Sequence, residues 1–306
     1  MTDVEQAAGA AVERAVGAPA ASGAPRGTRR LRRWPRWRRV RPGTALAVAV
    51  LVVIAAVAAM PWLFTDGSPL APHLDRVLRP PSLAHPFGTD QLGRDVLTRV
   101  VYGSRQSLAT GLGATALAAV AGLVIGMVAA LTGRAADAVV MRLVDALLAL
   151  PSLLVSLLVL TLAGRGSGSE AIAIAVPTAL GYARLVRTQA MSVRKSGYVR
   201  AAVCLGQRPA VLVARHVLPN TVGPLALVAA IGTGSAITSG AALSYLGLGP
   251  EPPSPEWGAM LSQGQQYLPV AWWTGVFPGL AVTVAAVAIS VAGRRMHHSF
   301  AGRSAG

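Results

Sequence analysis

Charge is what this chain has little of. Asp, Glu, Lys and Arg make up 13% of its 306 residues, against about 25% in a soluble domain, so most of its length does not face water. Aromatic residues are only 5%, in a chain that is 53% hydrophobic. The single cysteine, Cys204, excludes an internal disulfide and any CxxC metal or redox site. The single lysine, Lys195, stands in Arg194-Lys195-Ser196 with no glycine before it. A nucleotide-binding loop of the form G-x4-G-K-[ST] needs both, so ATP hydrolysis must come from another chain. No Ser-His-Asp or HExxH pattern occurs, and the five histidines are scattered apart from His297-His298. The chain is therefore expected to be no enzyme, to hold no metal and to bind no cofactor itself.

Long apolar runs take the place of the missing charge. A membrane helix needs about 20 apolar residues to cross about 30 Å of hydrocarbon. Residues 44–64, 108–131, 143–162, 171–185, 222–246 and 271–291 are the candidates, the fourth being short and ending in arginines. They predict an all-α polytopic membrane protein with six transmembrane helices, forming one domain over 43–292. The formal charge of +16 invites a nucleic-acid partner, but the charges sit in blocks between the apolar runs, which argues against one. Residues 1–42 read as a basic, largely disordered cytoplasmic tail, and 293–306 as a second cytoplasmic tail. The first apolar run is too long for a signal peptide and reads as a retained anchor.

Orientation follows the Lys and Arg distribution. With both termini in the cytoplasm, 22 basic residues fall inside and six outside. Ala118, Gly122, Gly126 and Ala130 recur every fourth residue, as do Gly232, Ala236 and Gly240. Such spacing lets helices approach closely in lipid, although an Ala/Gly-rich span can also show it by chance.

Between the fourth and fifth spans lies YVRAAVCLGQRPAVLVARHVLPN, 198–220. Seven basic residues in 184–215 would cost roughly 17–25 kcal/mol to bury at the membrane centre, which keeps the segment in the cytoplasm. Tyr198, Ala201, Ala202 and Leu205 fall at i, i+3, i+4 and i+7 and form one apolar helical stripe. Gly206 permits a left-handed stop, Pro209 suits the first turn of a second helix, and Leu218-Pro219 is expected to end that helix at the fifth span. The first helix is roughly 12 Å long. It suits either a plug for a partner's groove or a basic helix lying on anionic lipid.

The run Arg200-Ala201-Ala202, three residues, Gly206, nine residues, then His216 and Leu218-Pro219 resembles the coupling loop of ABC importer permeases. Four further blocks resemble one branch of that family, the C-type inner-membrane subunit of dipeptide, oligopeptide and nickel importers. They are HPFGTDQLGRDVLTRVVYGSRQSL (85–108), RLVDALLALPSLL (142–154), GYARLVRTQAMSVR (181–194) and ALSYLGLGPEPPSPEWGAMLSQGQQYL (242–268). The resemblance implies a permease subunit that imports peptides or a related solute such as chelated nickel. Its implied partners are separate ATP-binding subunits that hydrolyse the ATP, a second homologous permease and an extracytoplasmic solute-binding protein. It implies that Tyr198, Arg200, Ala201, Ala202, Leu205, Gly206, His216, Leu218 and Pro219 couple to the ATPase. Arg200 stands where that family usually has Glu, and the C-terminal GRRMHHSFAGR lacks the family's usual carboxylates. The reading from another class is a membrane scaffold or channel whose basic loop binds lipid and couples to no ATPase.

The remaining polar residues each have two readings. Asp145 lies near the start of the third span, three residues from Arg142 on one helical face, and a structural ion pair is expected rather than a proton relay. Gly88-Thr89-Asp90 is expected to open an outer helix, capped by Thr89 or Asp90. There Asp95 and Arg99 stand at the favoured i, i+4 spacing. Asp90, Arg94 and Asp95 suit a self-satisfied outer helix better than a substrate gate. Residues 251–269 form a proline-stiffened outer loop that the resemblance turns toward the binding protein. Ser235, Thr238 and Ser239 either line a polar pathway or bond back to their own helix carbonyls.

Overall fold

The computed structural model describes residues 42–301 apart from Arg165 and Pro252. Most of the region expected as an N-terminal tail therefore lies outside the described residues. Among the described residues the regular structure is helical, and the extended backbone contributes only an isolated bridge between Thr89 and Asp95. In chain order the helices are α1 (Pro42–Ala59), α2 (Val96–Leu131), α3 (Arg134–Leu148), α4 (Ser152–Ala163) and α5 (Ser167–Arg194). They continue with α6 (Gly197–Cys204), α7 (Pro209–Leu212), α8 (Leu218–Tyr245), α9 (Trp257–Gly264) and α10 (Trp273–Ala301). A π-helical turn, Val213–Val217, joins α7 to α8.

Among the described residues three stretches are long and apolar enough to cross a bilayer: α2, the continuous run Pro209–Tyr245, and Trp273–Arg295 of α10. A fourth arises if α3 and α4 count as one broken span. The expected span 143–162 is thus not one helix. The axis turns by 97° between α3 and α4, because Pro151 disfavours helical geometry at the residue before it and α3 stops at Leu148. Asp145 consequently lies in α3, before the bend. The apolar part of α1, Ala45–Ala59, is about 22 Å long at the helical rise. The segment expected at 171–185 is the middle of α5, which extends a further nine residues to Arg194. Helix α10 likewise continues into the region expected as a C-terminal tail.

The repeats of small residues are packing surfaces. Ala118, Gly122, Gly126 and Ala130 are all buried on α2, while Leu117, Val120 and Val124 of the same helix are exposed. A Cβ at Gly122 would meet the Tyr182 Cβ at 2.5 Å, and one at Gly126 would meet the Ala183 carbonyl oxygen at 2.5 Å. Helices α2 and α5 therefore meet almost backbone to backbone. Lipid supplies no hydrophobic drive between helices, so close van der Waals packing of this kind has to. On α8, a Cβ at Gly232 would lie 2.3 Å from the Tyr182 hydroxyl, which brings the second repeat against the same helix. Helix α8 also packs on α2 and α10, and α1 lies against α10 and α2.

Candidate functional site: a short helix and a hydroxyl-lined cavity

Helix α6 forms as an eight-residue rod because its sequence supplies both ends. Lys195 caps the end of α5, and Ser196 in extended geometry begins α6. At the far end Gly206 adopts φ +76°. Its N–H donates to the Val203 carbonyl at 2.9 Å, and the Gln207 N–H donates to the Ala202 carbonyl at 3.2 Å. These two bonds form a Schellman motif, which satisfies the last carbonyls of the helix. Arg208 and Pro209 then start α7, with Pro209 in its first turn.

The expected single apolar stripe divides in two. Val199 and Ala202 are buried, whereas Tyr198, Ala201, Val203 and Leu205 are exposed, Leu205 by 84%. The inner pair belongs to an apolar cluster with Leu212 and Val217, with Ala190 and Val186 of α5, and with Ala130 of α2. Leu225 and Ala229 of α8 extend that cluster. The rod is thus glued along one side to the helices on either side of it in sequence. Tyr198 also contacts His216 of the π turn, with ring centroids 5.9 Å apart. Arg200 is exposed at the surface.

Leu218-Pro219 does not end the second helix as expected. The Leu218 N–H donates five residues back to the Val213 carbonyl. This widened turn carries the chain past Pro219, which has no N–H to offer. The Asn220 side chain donates to the His216 carbonyl at 2.6 Å. The result is one continuous helical run from the loop into α8.

Two ion pairs beside this region join α3 to α5. Arg187 is bidentate to Asp137, with both N···O distances 2.5 Å. Asp145 pairs with Arg184 rather than with Arg142. Arg142 precedes Asp145 on its helix, the less favourable order for such a pair, and the guanidinium of the neighbouring helix takes the carboxylate. Arg194 donates to the Ala130 carbonyl, closing the end of α5 onto α2. Arg184, Arg187 and Arg194 are therefore part of α5 and not of a loop. Sequence reasoning missed Asp137 and also Glu170, a buried carboxylate at the start of α5 that accepts from Ser244 at 3.0 Å.

Ser235, Thr238 and Ser239 do converge. They line a cavity of about 590 Å³ together with Ser152 of α4 and Ser290 and Arg294 of α10. Thr238 also donates to the Gly234 carbonyl at 3.1 Å, the bond back to its own helix that was one of its two expected readings. An adjoining cavity of about 120 Å³ shares Ser152, Leu153 and Ser239 and adds Ser156 and Thr178.

At the N-terminal end of α2 the cap is Asp95, whose carboxylate accepts from the Thr98 N–H at 2.7 Å. Thr89 and Asp90 lie in the turn before it. Asp95 contacts His85 instead of Arg99, and Arg99 donates to Asp90 at 2.5 Å. The helix begins later than expected, so Asp95 spends its oxygens on the helix start. In the loop expected to face outward, Glu256 caps α9, and Trp257 is buried, donating to the Val100 carbonyl at 2.9 Å.

Among the described residues the chain is thus a helical bundle with apolar membrane-crossing helices and a short rod rooted between two of the long ones. Residues 122–304 match the family described as binding-protein-dependent transport system inner membrane component. The chain belongs to this family, the membrane-embedded permease subunits of ABC importers, and is a multi-pass membrane protein. It is 39% identical over 255 residues to the "Probable D,D-dipeptide transport system permease protein DdpC" of Escherichia coli (strain K12), covering 82% of this chain and 85% of that one. It is 36% identical over 251 residues to the dipeptide transport system permease protein DppC of Alkalihalophilus pseudofirmus, covering 81% and 83%. Its fold is similar to that of a methionine ABC transporter chain solved in inward-facing conformations. The TM-score is 0.55 at 18% identity, over 66% of this chain and 95% of that one. These relatives are transport permeases, not enzymes.

Proposed function

We propose that this chain is one half of the translocation pathway of a peptide importer, with α6 receiving the motion of a separate ATP-binding subunit. The observation that carries the proposal is the division of α6 into two faces. Val199 and Ala202 root it in the helix bundle, while Tyr198, Ala201 and Leu205 stay exposed. A rod with one apolar face committed and another free can be gripped from outside and still move its anchoring helices. Because α6 shares one core with α2, α5 and α8, a push on it is delivered as a rigid-body shift. Such shifts switch between discrete packings and can alternate a pathway between outward and inward access.

In this reading α1, α2, α4 with its bent partner α3, α5, α8 and α10 are the six membrane passes, and both termini are cytoplasmic. The hydroxyl-lined groove of Ser152, Ser235, Thr238, Ser239 and Ser290 faces a second, homologous permease, and the two together enclose the path. Hydroxyls can both donate and accept, which suits the alternating amides of a peptide in any side-chain context. The peptide names of the relatives favour that solute over chelated nickel. Nucleotide chemistry falls to the ATP-binding subunits, the chain holding no cofactor of its own. An extracytoplasmic binding protein delivers the solute at the face formed by α9 and its loop. Arg200, at the position the resembling family fills with Glu, requires an acidic contact on its cognate ATPase.

Leu205→Glu tests the proposal. It places a charge on the free face, at a residue that contributes nothing to the bundle core. Insertion and expression should be unchanged, while peptide uptake and solute-stimulated ATPase fall at least tenfold. Uptake at the wild-type rate would overturn the coupling role of α6.

A further inference from the structure

The hydroxyl-lined cavity differs between its two ends, and its one charge sits at an end. Gly234 of α8 lies against α10, where an added Cβ would meet the Ala286 carbonyl oxygen and Ser290 Oγ, each at 2.6 Å. A Cβ at Gly293 would meet Ile231 Cα at 3.1 Å. Rising numbers on α10 thus meet falling numbers on α8, so the two helices run antiparallel along the cavity wall. Arg294, one turn beyond Ser290, therefore stands at the end nearest α6. Ala242, about 12 Å further along α8 than Gly234, borders the opposite end.

Arg294 is the only charged residue among those lining the cavity, and it is exposed. Among the described residues it forms no ion pair. A charged side chain within a membrane helix is costly, and it usually either has a partner or marks a solute path. Ser290 and the hydroxyls of α8 border the same cavity, and they offer dipoles but no opposite charge. The guanidinium thus keeps its planar fork for an anion of matching shape, a carboxylate. The cavity volume of about 590 Å³ falls within the roughly 300–1,000 Å³ of small-molecule sites. A wall of hydroxyls closed by one cation matches a linear peptide, whose amides end in a carboxylate whatever its side chains are.

We propose that Arg294 binds the C-terminal carboxylate of the solute, which passes with that end leading toward α6. This rests on the reading of the cavity as the translocation pathway. It adds to that reading an orientation for the bound peptide and a requirement for a free carboxylate.

The test uses the assembled transporter with Cys204→Ser and either Ser290→Cys or, as a control, Ala242→Cys. Anionic sulfonatoethyl and cationic trimethylammonioethyl methanethiosulfonates label the new thiol, and label on this chain is read after gel separation from its partners. The ratio of the two rates reports the local charge. Arg294→Gln should lower the anionic-to-cationic ratio about threefold or more in Ser290→Cys and leave it unchanged in Ala242→Cys. Trialanine with a free carboxyl group should slow labelling of Ser290→Cys at a concentration about fivefold below that of trialanine amide. Arg294→Gln should erase this preference, and Arg294→Lys should keep it. A ratio indifferent to Arg294→Gln would put the guanidinium among lipid phosphates, and equal protection by acid and amide would deny it the carboxylate. Either result overturns the proposal and leaves the pathway reading standing. If neither peptide slows labelling at any concentration, the pathway reading fails and the proposal falls with it.

Discussion

Replacing Gly126 by alanine should loosen the contact between α2 and α5, and the size of the effect can be worked from the geometry. The new Cβ would stand 2.5 Å from the Ala183 carbonyl oxygen and 2.7 Å from both Cβ and Cγ1 of Val186. The first of these is a backbone atom, so no rotamer change relieves it and the helices must part. Inserting a methyl group into a packed core costs about 1–3 kcal/mol. Against this, alanine is favoured over glycine inside a helix by about 0.8–1 kcal/mol. A control removes that second contribution: a Cβ at Gly113, on the same helix, would meet nothing within 4 Å. Gly113→Ala carries the propensity gain without the clash, so the difference between the two variants isolates the packing cost, again about 1–3 kcal/mol. Thermal unfolding of the two purified variants should separate their Tm values by roughly 2–12 °C, with Gly113→Ala the more stable. Equal Tm values would refute the backbone-to-backbone contact.

Three further outcomes follow from the same structure. At Gly206 an added Cβ meets nothing within 4 Å but the φ of +76° remains, so Gly206→Val should cost about 1–2 kcal/mol through backbone strain alone. Gly206→Asn should cost less, and hydrogen exchange at the α6 amides reads the difference. The Arg187–Asp137 pair is partly exposed, at 29% and 13%. A double-mutant cycle with Arg187→Ala and Asp137→Ala should therefore give a coupling energy of about 1–2 kcal/mol, less than a fully buried bidentate pair. Ser239 borders both adjoining cavities. Ser239→Phe should cut uptake at least tenfold while leaving the ATPase assembled, which separates a pathway defect from a coupling defect.

The parts of the fold visible in the sequence are those specified locally. Gly206, five residues after Ala201, terminates α6 because only a left-handed residue closes a Schellman motif, and that requirement is written in one position. The small residues of α2 were visible as a spacing, but whether they packed depended on the facing surface of α5, which no local pattern contains. The break at Pro151 was written in the sequence, yet the apolar run continued across it and concealed the 97° turn. The passage through Pro219 was hidden because a π turn leaves no compositional mark. Charge pairing was the least legible feature: Asp145 had Arg142 close by in sequence but Arg184 closer in space. At the start of α2, a shift of the helix cap to Asp95 gave that carboxylate to His85 and left Arg99 to Asp90, while Arg94 and Asp90 still pair four residues apart. The cavity residues Ser235, Thr238 and Ser239 were recognisable as hydroxyls on one helix, but Ser152 and Ser290 come from elements far away along the chain.

Cys204 offers the most direct measurement. It is the chain's single cysteine, at the exposed end of α6, so maleimide label on this chain, separated from its partners by gel, reports on that rod alone. If an ATP-binding partner clasps the rod, the thiol should react at least ten times more slowly in the assembled transporter than in the permease alone. A reaction rate that assembly leaves unchanged would mean that nothing holds this surface, and the transmission of force through it would have to be abandoned.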